Sequence, residues 1–289
     1  MLFENRKQLS TLLLPAIVVL GLLTAYPIIS VVYNAFLSVD IGSGQHHFVG
    51  MANFAELFDD FFFVTAIQNT LLFTVVASTA QVLLGLVLAL LFHRNFPGRR
   101  FALPVIIYPM MISTLVCSSI WRSWYHYDFG FLNAAFVSVG LPPQEWLFNP
   151  DFALYAIAIV DTWQWTPMAF LIILAGLQSV PKDISDAAMV DGATGWKSTL
   201  YITLPLIQKQ ILLAFLLRSI DTFKLFDKVY VMTGGGPGNA TETLSMFVYK
   251  YGFRFFDLGM ASASSLVMLA ISLAMTLIYA KRVMKGGKQ

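Results

Sequence analysis

The chain has 289 residues, of which 57% are hydrophobic and only 12% are charged, and its mean hydropathy is +0.71. Soluble domains carry about 25% charged residues, so this chain lacks the polar surface that a water-soluble globule needs. It is therefore predicted to be an integral membrane protein. A single cysteine excludes a disulfide framework. A formal net charge of +2 is too small to indicate binding to nucleic acid.

Six apolar segments are long enough, or nearly so, to cross a bilayer as helices of about 20 residues. The sequence predicts an all-α integral membrane fold in which residues 1–289 form a single transmembrane domain. The first segment follows Arg6 and Lys7, but its apolar run exceeds the ~7–15 residues of a signal peptide and predicts an uncleaved anchor. The predicted spans are residues 12–33, 67–92, 103–124, 152–177, 206–232 and 258–280.

Lysine and arginine are distributed unequally between the two sides of these spans. Twelve lie in the segments that share a side with both termini, and three lie in the opposite loops. Cytoplasmic loops of membrane proteins carry the excess of basic residues. Both termini, and the loop between spans four and five, are therefore predicted to be cytoplasmic.

The sequence lacks the motifs of nucleotide-binding and hydrolytic enzymes. Residues 192–198 are superficially similar to a phosphate-binding loop, but Trp196 intervenes where that motif needs glycine directly before Lys-Ser. The run Gly234–Gly238 has no following lysine and no Rossmann-type strand, and it predicts a tight outer turn. No zincin, serine-hydrolase or EF-hand pattern is present.

Span four carries a charged residue deep in the bilayer, where an unpaired charge costs about 2.5–3.5 kcal/mol. Asp161 lies about 13 Å along the helix from its outer end. Gln164 and Trp165 follow at i+3 and i+4 and therefore share its face. An aromatic ring beside amide and carboxylate groups suits a polyhydroxylated ligand, whose C–H faces stack on the ring while its hydroxyls form hydrogen bonds.

Span five carries a second set of polar groups at a similar depth. Arg218 lies about 18 Å from the cytoplasmic end, and Asp221 and Thr222 continue its face. One hypothesis is that both sets line a translocation pathway and contact substrate. The alternative is structural, with Arg218 paired to Asp161 or Asp221 and Trp165 packed against another subunit.

The outer end of span five carries three more charged residues, Lys224, Asp227 and Lys228. Their position near the outer surface predicts a gate or the solvated rim of a cavity. They are therefore kept apart from the predicted substrate-contacting residues.

The cytoplasmic loop between spans four and five is unusually structured for a connector. Pro181 can occupy a helix start, and the run "DISDAAMV" predicts a short helix. Gly192 can end this helix in the left-handed conformation. Such a helix could seat in the cleft of a partner protein, or it could be an ordinary interfacial helix.

The spacing in this loop resembles the EAA loop of ABC importer permeases. The family pattern is E-A-A, three residues, G, nine residues, I, one residue, L-P. Downstream, "FDKVYVMTGGGPGNATETLSMFVYKYGFRFFDLGMASASS" resembles the first of the two permease subunits of carbohydrate-uptake systems. The one departure is aspartate in place of the family's glutamate. The matching residues are Asp186, Ala187, Ala188, Gly192, Ile202, Leu204 and Pro205.

The resemblance implies a type I ABC importer permease fold with a cytoplasmic coupling helix, located in the bacterial inner membrane. It implies a subunit that translocates a sugar, polyol or glycoside handed over by an extracytoplasmic binding protein. A second homologous permease and two ATPase subunits are the implied partners, and ATP and magnesium would be bound by the ATPase subunits. This chain is expected to hold no cofactor or metal and to catalyse no reaction. The EAA loop, residues 181–205, would couple it to the ATPases through Asp186, Ala187, Ala188, Asp191, Gly192, Ile202, Leu204 and Pro205.

Two other classes of protein compete with this interpretation. A proton-coupled secondary transporter would use Asp161 or Asp221 as the proton carrier and would work without ATPase partners. A membrane enzyme would need a constellation of acid, nucleophile or metal ligands, which the sequence lacks. The matched EAA spacing favours the permease.

Overall fold

A computed structural model describes residues 6–40, 45–181, 183–184 and 195–285 of the chain. The chain divides into two compact units. The first consists of Met1–Phe61 with Phe247–Ala270, and the second of Phe62–Met246 with Ile271–Gln289.

The first unit combines a long apolar helix with a small hairpin and a short helix. Within the described residues, the two strands of the hairpin are the only β structure in a mainly helical chain. They pair antiparallel, with Leu37 opposite Phe48. The elements are α1 (Arg6–Asn34), β1 (Leu37–Asp40), β2 (Gln45–Phe48), α2 (Ala52–Asp59) and a π-helical turn at Lys250–Arg254.

Two polar side chains hold this unit together. The buried Asn53 amide donates to the carbonyl oxygens of Ala35 (2.9 Å) and Leu37 (3.0 Å), which satisfies backbone groups where α1 gives way to β1. The Tyr251 hydroxyl donates to Asp60 Oδ2 at 2.9 Å. Burial and this hydrogen bond raise the pKa of Tyr251 above its usual range.

The second unit contains most of the helices, and α11 (Leu244–Tyr249) and α12 (Leu258–Lys285) lie partly in each unit. Helix α8 (Trp196–Leu206) includes a π-helical turn at Thr199–Thr203. The helices that follow α2 are α3 (Phe61–His93), α4 (Arg99–Met111), α5 (Thr114–Trp124), α6 (Phe131–Ser138), α7 (Ala153–Gln178), α8 (Trp196–Leu206), α9 (Gln208–Phe223), α10 (Asp227–Met232), α11 (Leu244–Tyr249) and α12 (Leu258–Lys285).

Four described helices are long and apolar enough to cross a membrane unbroken. Two bent pairs add further candidates, α4 with α5 at 96° and α8 with α9 at 66°, so the described part of the chain has up to six spans. The division into one transmembrane domain stays a prediction. The four unbroken stretches are Leu13–Asn34, Phe61–His93, Ala153–Gln178 and Leu258–Tyr279.

The third predicted span, residues 103–124, is not one continuous helix. Helix α4 ends at Met111, and Ile112 takes an extended conformation before α5 begins at Thr114. Pro109, which has no N–H to donate, lies in the last turn of α4. The carbonyl of Ile112 accepts a hydrogen bond of 2.9 Å from the Gln164 side chain, so the break leaves this backbone oxygen satisfied.

The fifth predicted span, residues 206–232, also differs from a continuous helix. It bends at Ile207, and α9 ends at Phe223. Beyond this break the Thr243 hydroxyl donates to the carbonyl of Leu225 at 2.9 Å, replacing a lost helical bond. The helix is therefore interrupted at residues 224–226, and α10 begins at Asp227.

Helices α3 and α7 approach each other closely at a glycine. A Cβ atom added to Gly85 would lie 2.8 Å from the backbone nitrogen of Phe170 and 2.9 Å from Ala169 Cβ. Nearby, the rings of Phe92 and Phe170 meet edge to face at 5.5 Å. Small residues permit such close helix contacts inside membranes, where lipid offers no hydrophobic driving force for association.

Substitution of Gly85 tests this contact. We expect Gly85→Ala to destabilise the protein by about 1–3 kcal/mol, because the added methyl must push α3 away from α7. Gly21→Ala is the matched control, since a Cβ at Gly21 meets nothing within 4 Å and alanine favours a helix by up to about 1 kcal/mol over glycine. Thermal unfolding in detergent measures the stability of both variants. Equal unfolding midpoints would contradict the close approach of α3 and α7.

Candidate functional site

Asp161 of α7 is buried in the second unit, with 2% of its surface exposed. Its two carboxylate oxygens have different partners. Oδ1 lies 2.6 Å from Lys228 Nζ of α10, and Oδ2 accepts a hydrogen bond of 2.7 Å from the Gln81 amide of α3. Three helices therefore meet at one carboxylate.

Arg218 of α9 completes the arrangement and is 1% exposed. Its Nε donates to Gln81 Oε1 at 2.7 Å, and one terminal nitrogen donates to Asp221 Oδ2 at 3.0 Å. The other terminal nitrogen lies 3.9 Å from Asp161 Oδ2. Gln81 is thus a bridge that accepts from the guanidinium and donates to the carboxylate. We call Gln81, Asp161, Arg218, Asp221 and Lys228 the buried charge cluster, in which Asp221 is the exposed member, with 54% of its side chain accessible.

The cluster balances its formal charges, with two carboxylates against two cations. Lys228 is buried to the same extent as Arg218, at 1% exposed. An unpaired charge at this depth would cost about 2.5–3.5 kcal/mol, and breaking a buried pair by removing one partner costs about 3–5 kcal/mol. The pairing therefore explains how a membrane helix bundle tolerates these residues.

Trp165 contacts the cluster on the side that borders a cavity. The Arg218 guanidinium carbon is 4.9 Å from the centroid of the Trp165 ring, within the range of a cation–π contact. One helical turn from Asp161, Trp165 also borders a cavity of about 270 Å³. The ring thus has two functions: it shields a buried cation and it faces open space.

This cavity combines aromatic rings with charged groups of both signs. Three carboxylates and three cationic side chains border it, so its formal charge is also balanced. Indole and hydroxyl groups beside such donors and acceptors can bind a polyhydroxylated ligand. The lining residues are Thr114, Asp161, Trp165, Arg218, Asp221, Lys224, Leu225, Phe226, Asp227 and Lys228.

Two residues predicted to contact substrate have backbone partners instead. The Gln164 amide donates to Ile112 across the break between α4 and α5, and the Thr222 hydroxyl donates to the carbonyl of Arg218 at 2.8 Å. Neither side chain belongs to the described cavity lining. Four predicted residues, Asp161, Trp165, Arg218 and Asp221, do border the cavity, and substrate contact by all six stays a prediction.

Sequence reasoning missed two members of the cluster. Lys228 was predicted to lie at a gate or on the solvated rim of a cavity. It borders the cavity, but the solvated position is wrong, because its ammonium group is buried against Asp161, and the gate stays a prediction. Its signal was a lysine inside a predicted span, which itself demands an acidic partner. Gln81 gave a weaker signal, a polar amide in the apolar run 67–92. Nothing in the spacing of α3 links it to α7 or α9.

Most of the predicted coupling residues lie outside the described part of the chain. This applies to Asp186, Ala187, Ala188, Asp191 and Gly192. The rest are in α8, where Leu204 packs against the core formed by α3 and α7. Ile202 lies in the π-helical turn and Pro205 is in the last turn of the helix.

Comparison with known proteins identifies the class to which this chain belongs. The family described as binding-protein-dependent transport system inner membrane component matches residues 81–281. The chain belongs to this family. The expectation of an ABC importer permease subunit is thereby confirmed, and the comparisons give no support to the proton-coupled alternative. The permease is a component of a transporter in the inner membrane and not a catalyst.

Relatives of the permease are similar to it over most of its length. The sulfoquinovosyl glycerol transport system permease protein SmoG of Agrobacterium fabrum is 35% identical over 93% of this chain and 87% of its own. The trehalose/maltose transport system permease protein MalF of Thermococcus litoralis is 35% identical over 81% of this chain and 79% of its own. These similarities confirm the resemblance to carbohydrate-uptake permeases.

Solved structures show the same fold at lower sequence identity. A bacterial ABC transporter involved in the import of the acidic polysaccharide alginate contains a chain that is 21% identical, with a TM-score of 0.86. The match covers 96% of the permease and 95% of that chain. The predicted all-α permease fold is confirmed by this match.

Removal of the Gln81 bridge tests the geometry of the cluster. We expect Gln81→Leu to destabilise the permease by about 1–3 kcal/mol, because Arg218 and Asp161 each lose a buried hydrogen bond. Gln208→Leu is the matched control, since Gln208 is an exposed glutamine at the start of α9. Unfolding in detergent measures the stability of the Gln81 and Gln208 variants. A Gln81 variant as stable as the Gln208 variant would show that the bridge is not formed.

Proposed function

We propose that this permease translocates a neutral sugar, polyol or short glycoside along a pathway that includes the cavity beside the buried charge cluster. The relatives SmoG and MalF are named as permeases for sulfoquinovosyl glycerol and for trehalose and maltose, which supports a carbohydrate substrate. Trehalose and maltose are neutral, whereas the sulfoquinovosyl group carries a sulfonate, so only MalF supports a neutral one. The observation that carries the proposal is the Trp165 ring, which faces a cavity beside charges that neutralise one another. A sugar can stack on such a ring.

The preference for a neutral substrate follows from how the cations are used. A bidentate clamp on a phosphate, sulfonate or uronate needs a guanidinium with free N–H groups. The Arg218 side chain donates to Gln81 and Asp221 and also lies within ion-pair distance of Asp161. Lys228 is paired with Asp161. An anionic ligand would have to break these contacts to reach Arg218 or Lys228, whereas hydroxyl groups can add to them. Lys224, the third cation of the lining, is exposed and lies outside the cluster.

The proposed transporter contains other subunits. A second homologous permease would complete the pathway, and two ATPase subunits would bind ATP and magnesium. An extracytoplasmic binding protein would deliver the substrate. The solved alginate ABC transporter in complex with its pentasaccharide-bound periplasmic protein supports this role for a binding protein. The excess of basic residues supports a cytoplasmic location for both termini.

The test of this function is reconstitution of the complete transporter in proteoliposomes. Neutral sugars are expected to stimulate ATP hydrolysis in the presence of the binding protein, and their phosphorylated or uronate forms are not. Trp165→Ala should weaken the stimulation about tenfold, because the stacking surface is lost. Trp163→Ala is the matched control, on the same helix but outside the cavity lining.

Two results would count against the proposal. Stimulation by anionic sugars alone would reject neutral selectivity. Equal responses of the Trp165 and Trp163 variants would reject the stacking role of Trp165. Either result would leave the membership of the family unchanged.

The coupling loop generates a second prediction. Asp186 and Asp191 offer charge pairing to an ATPase cleft, Ala187 permits close approach, and Gly192 permits a sharp turn. Ala187→Glu and Gly192→Val are expected to abolish uptake while ATP hydrolysis and membrane insertion persist. Ala187→Ser, which keeps a small side chain, is the control and should retain uptake. Normal coupled uptake by both disruptive variants would refute the docking role.

A further inference from the structure

A second cavity, of about 710 Å³, lies at the other end of α7 from Asp161. It is formed by the C-terminal ends of α3 and α7, the first residue of α4, and α8. Gln178 in its lining is seventeen residues from Asp161, which is about 25 Å along the helix. This cavity, which we call the α3–α8 groove, is therefore separate from the proposed substrate cavity.

One wall of the groove is an aliphatic strip along α3. It is formed by Leu86, Val87, Leu90 and Leu91, whose spacing places them on adjoining faces of the helix. Val87 and Leu91 remain more than half exposed. An aliphatic strip left exposed on a membrane helix is suited to contact with a lipid acyl chain.

The rim of the groove is basic. His93, Arg94 and Arg99 border it, and no carboxylate is found among its described lining residues. The Asn95 side chain accepts a hydrogen bond of 3.1 Å from the Arg99 guanidinium and helps to orient it. The rim therefore presents positive charge beside an apolar wall, in contrast to the balanced charges around the proposed substrate cavity.

We propose that the α3–α8 groove binds an anionic phospholipid of the cytoplasmic leaflet, with its phosphate on Arg94 and Arg99 and an acyl chain along the α3 strip. The inference rests on the orientation given under the proposed function. Anionic lipids are present in the cytoplasmic leaflet, and basic pockets between membrane helices on that side bind their headgroups. Trp196, a largely exposed lining residue, suits the membrane interface, where indole rings are enriched.

The probe is phosphatidylglycerol, compared with phosphatidylcholine of the same acyl chains. Native mass spectrometry of the purified transporter, without substrate or ATP, measures the fraction that retains each lipid. Phosphatidylglycerol should be retained preferentially. The double variant Arg94→Gln with Arg99→Gln should weaken its binding by at least about tenfold, because each arginine near an anionic membrane surface contributes measurably to binding. Arg100→Gln is the matched control, since Arg100 adjoins Arg99 in the sequence but does not line the groove.

A second pair of variants tests the acyl-chain wall. Val87→Trp narrows the groove and should lower retention, whereas Leu84→Trp, an exposed residue of the same helix outside the lining, should not. Inorganic phosphate at millimolar concentration should fail to displace the lipid, because it lacks the acyl chain.

Several outcomes would overturn the proposal. One is equal retention of phosphatidylglycerol and phosphatidylcholine. Another is an equal loss of phosphatidylglycerol binding in the double variant and in the Arg100 variant. A third is displacement of the bound lipid by inorganic phosphate alone. Retention of phosphatidylglycerol by the isolated permease but not by the complete transporter would also overturn it, because the groove would then be a surface on which the ATPase subunits dock. Since no substrate enters the measurement, failure here is distinguishable from failure of the proposed function.

Discussion

The buried carboxylate of Asp161 is the constraint on which the second unit depends. A charge in this position must be neutralised, and the chain supplies Lys228 and Arg218, linked through the Gln81 amide. These residues come from four helices, α3, α7, α9 and α10. The requirement to pair one charge thus fixes the relative positions of four helices that come from three distant regions of the sequence, since α9 and α10 are neighbours along the chain.

Breaks in the helices make this pairing possible. A continuous helix over residues 206–232 would carry Lys228 onward along the axis of α9. The helix breaks after Phe223, and Lys228 of α10 lies with its ammonium group against Asp161. The backbone groups freed at the two breaks are satisfied by side chains, Gln164 at Ile112 and Thr243 at Leu225. Polar residues within spans therefore serve the fold as well as the cavity.

The same arrangement explains why the cavity can be polar without carrying a net charge. Each cation of the buried charge cluster is held beside a carboxylate, so its field is largely cancelled within the protein. What the cluster leaves for a ligand is hydrogen-bonding capacity next to the Trp165 ring. In the proposed function, a neutral carbohydrate would be released from this cavity without the breaking of a strong ion pair between ligand and protein.

Much of the fold could be predicted from the sequence because hydropathy and helical periodicity are local properties. The unbroken spans, the position of Trp165 on the face of Asp161, and the glycine turn at Gly234–Gly238, where three glycines adopt positive φ, all follow from nearby residues. The partners of Asp161 could not be predicted in the same way. Helical spacing links Arg218 to Asp221, but Gln81 and Lys228 reach the site only through tertiary packing and a helix break. For the same reason, spacing alone placed Gln164 and Thr222 on the pathway face, whereas their hydrogen bonds are made to the backbone.

The measurement that tests this account most directly is a double-mutant cycle between Asp161 and Lys228. Asp161→Asn, Lys228→Met and the double variant would be unfolded from detergent micelles and compared with the unaltered permease. The account predicts a coupling energy of at least about 1.5 kcal/mol, as found for close pairs of opposite charge. Effects that add to within about 0.5 kcal/mol would show that the two residues do not interact and would contradict the account.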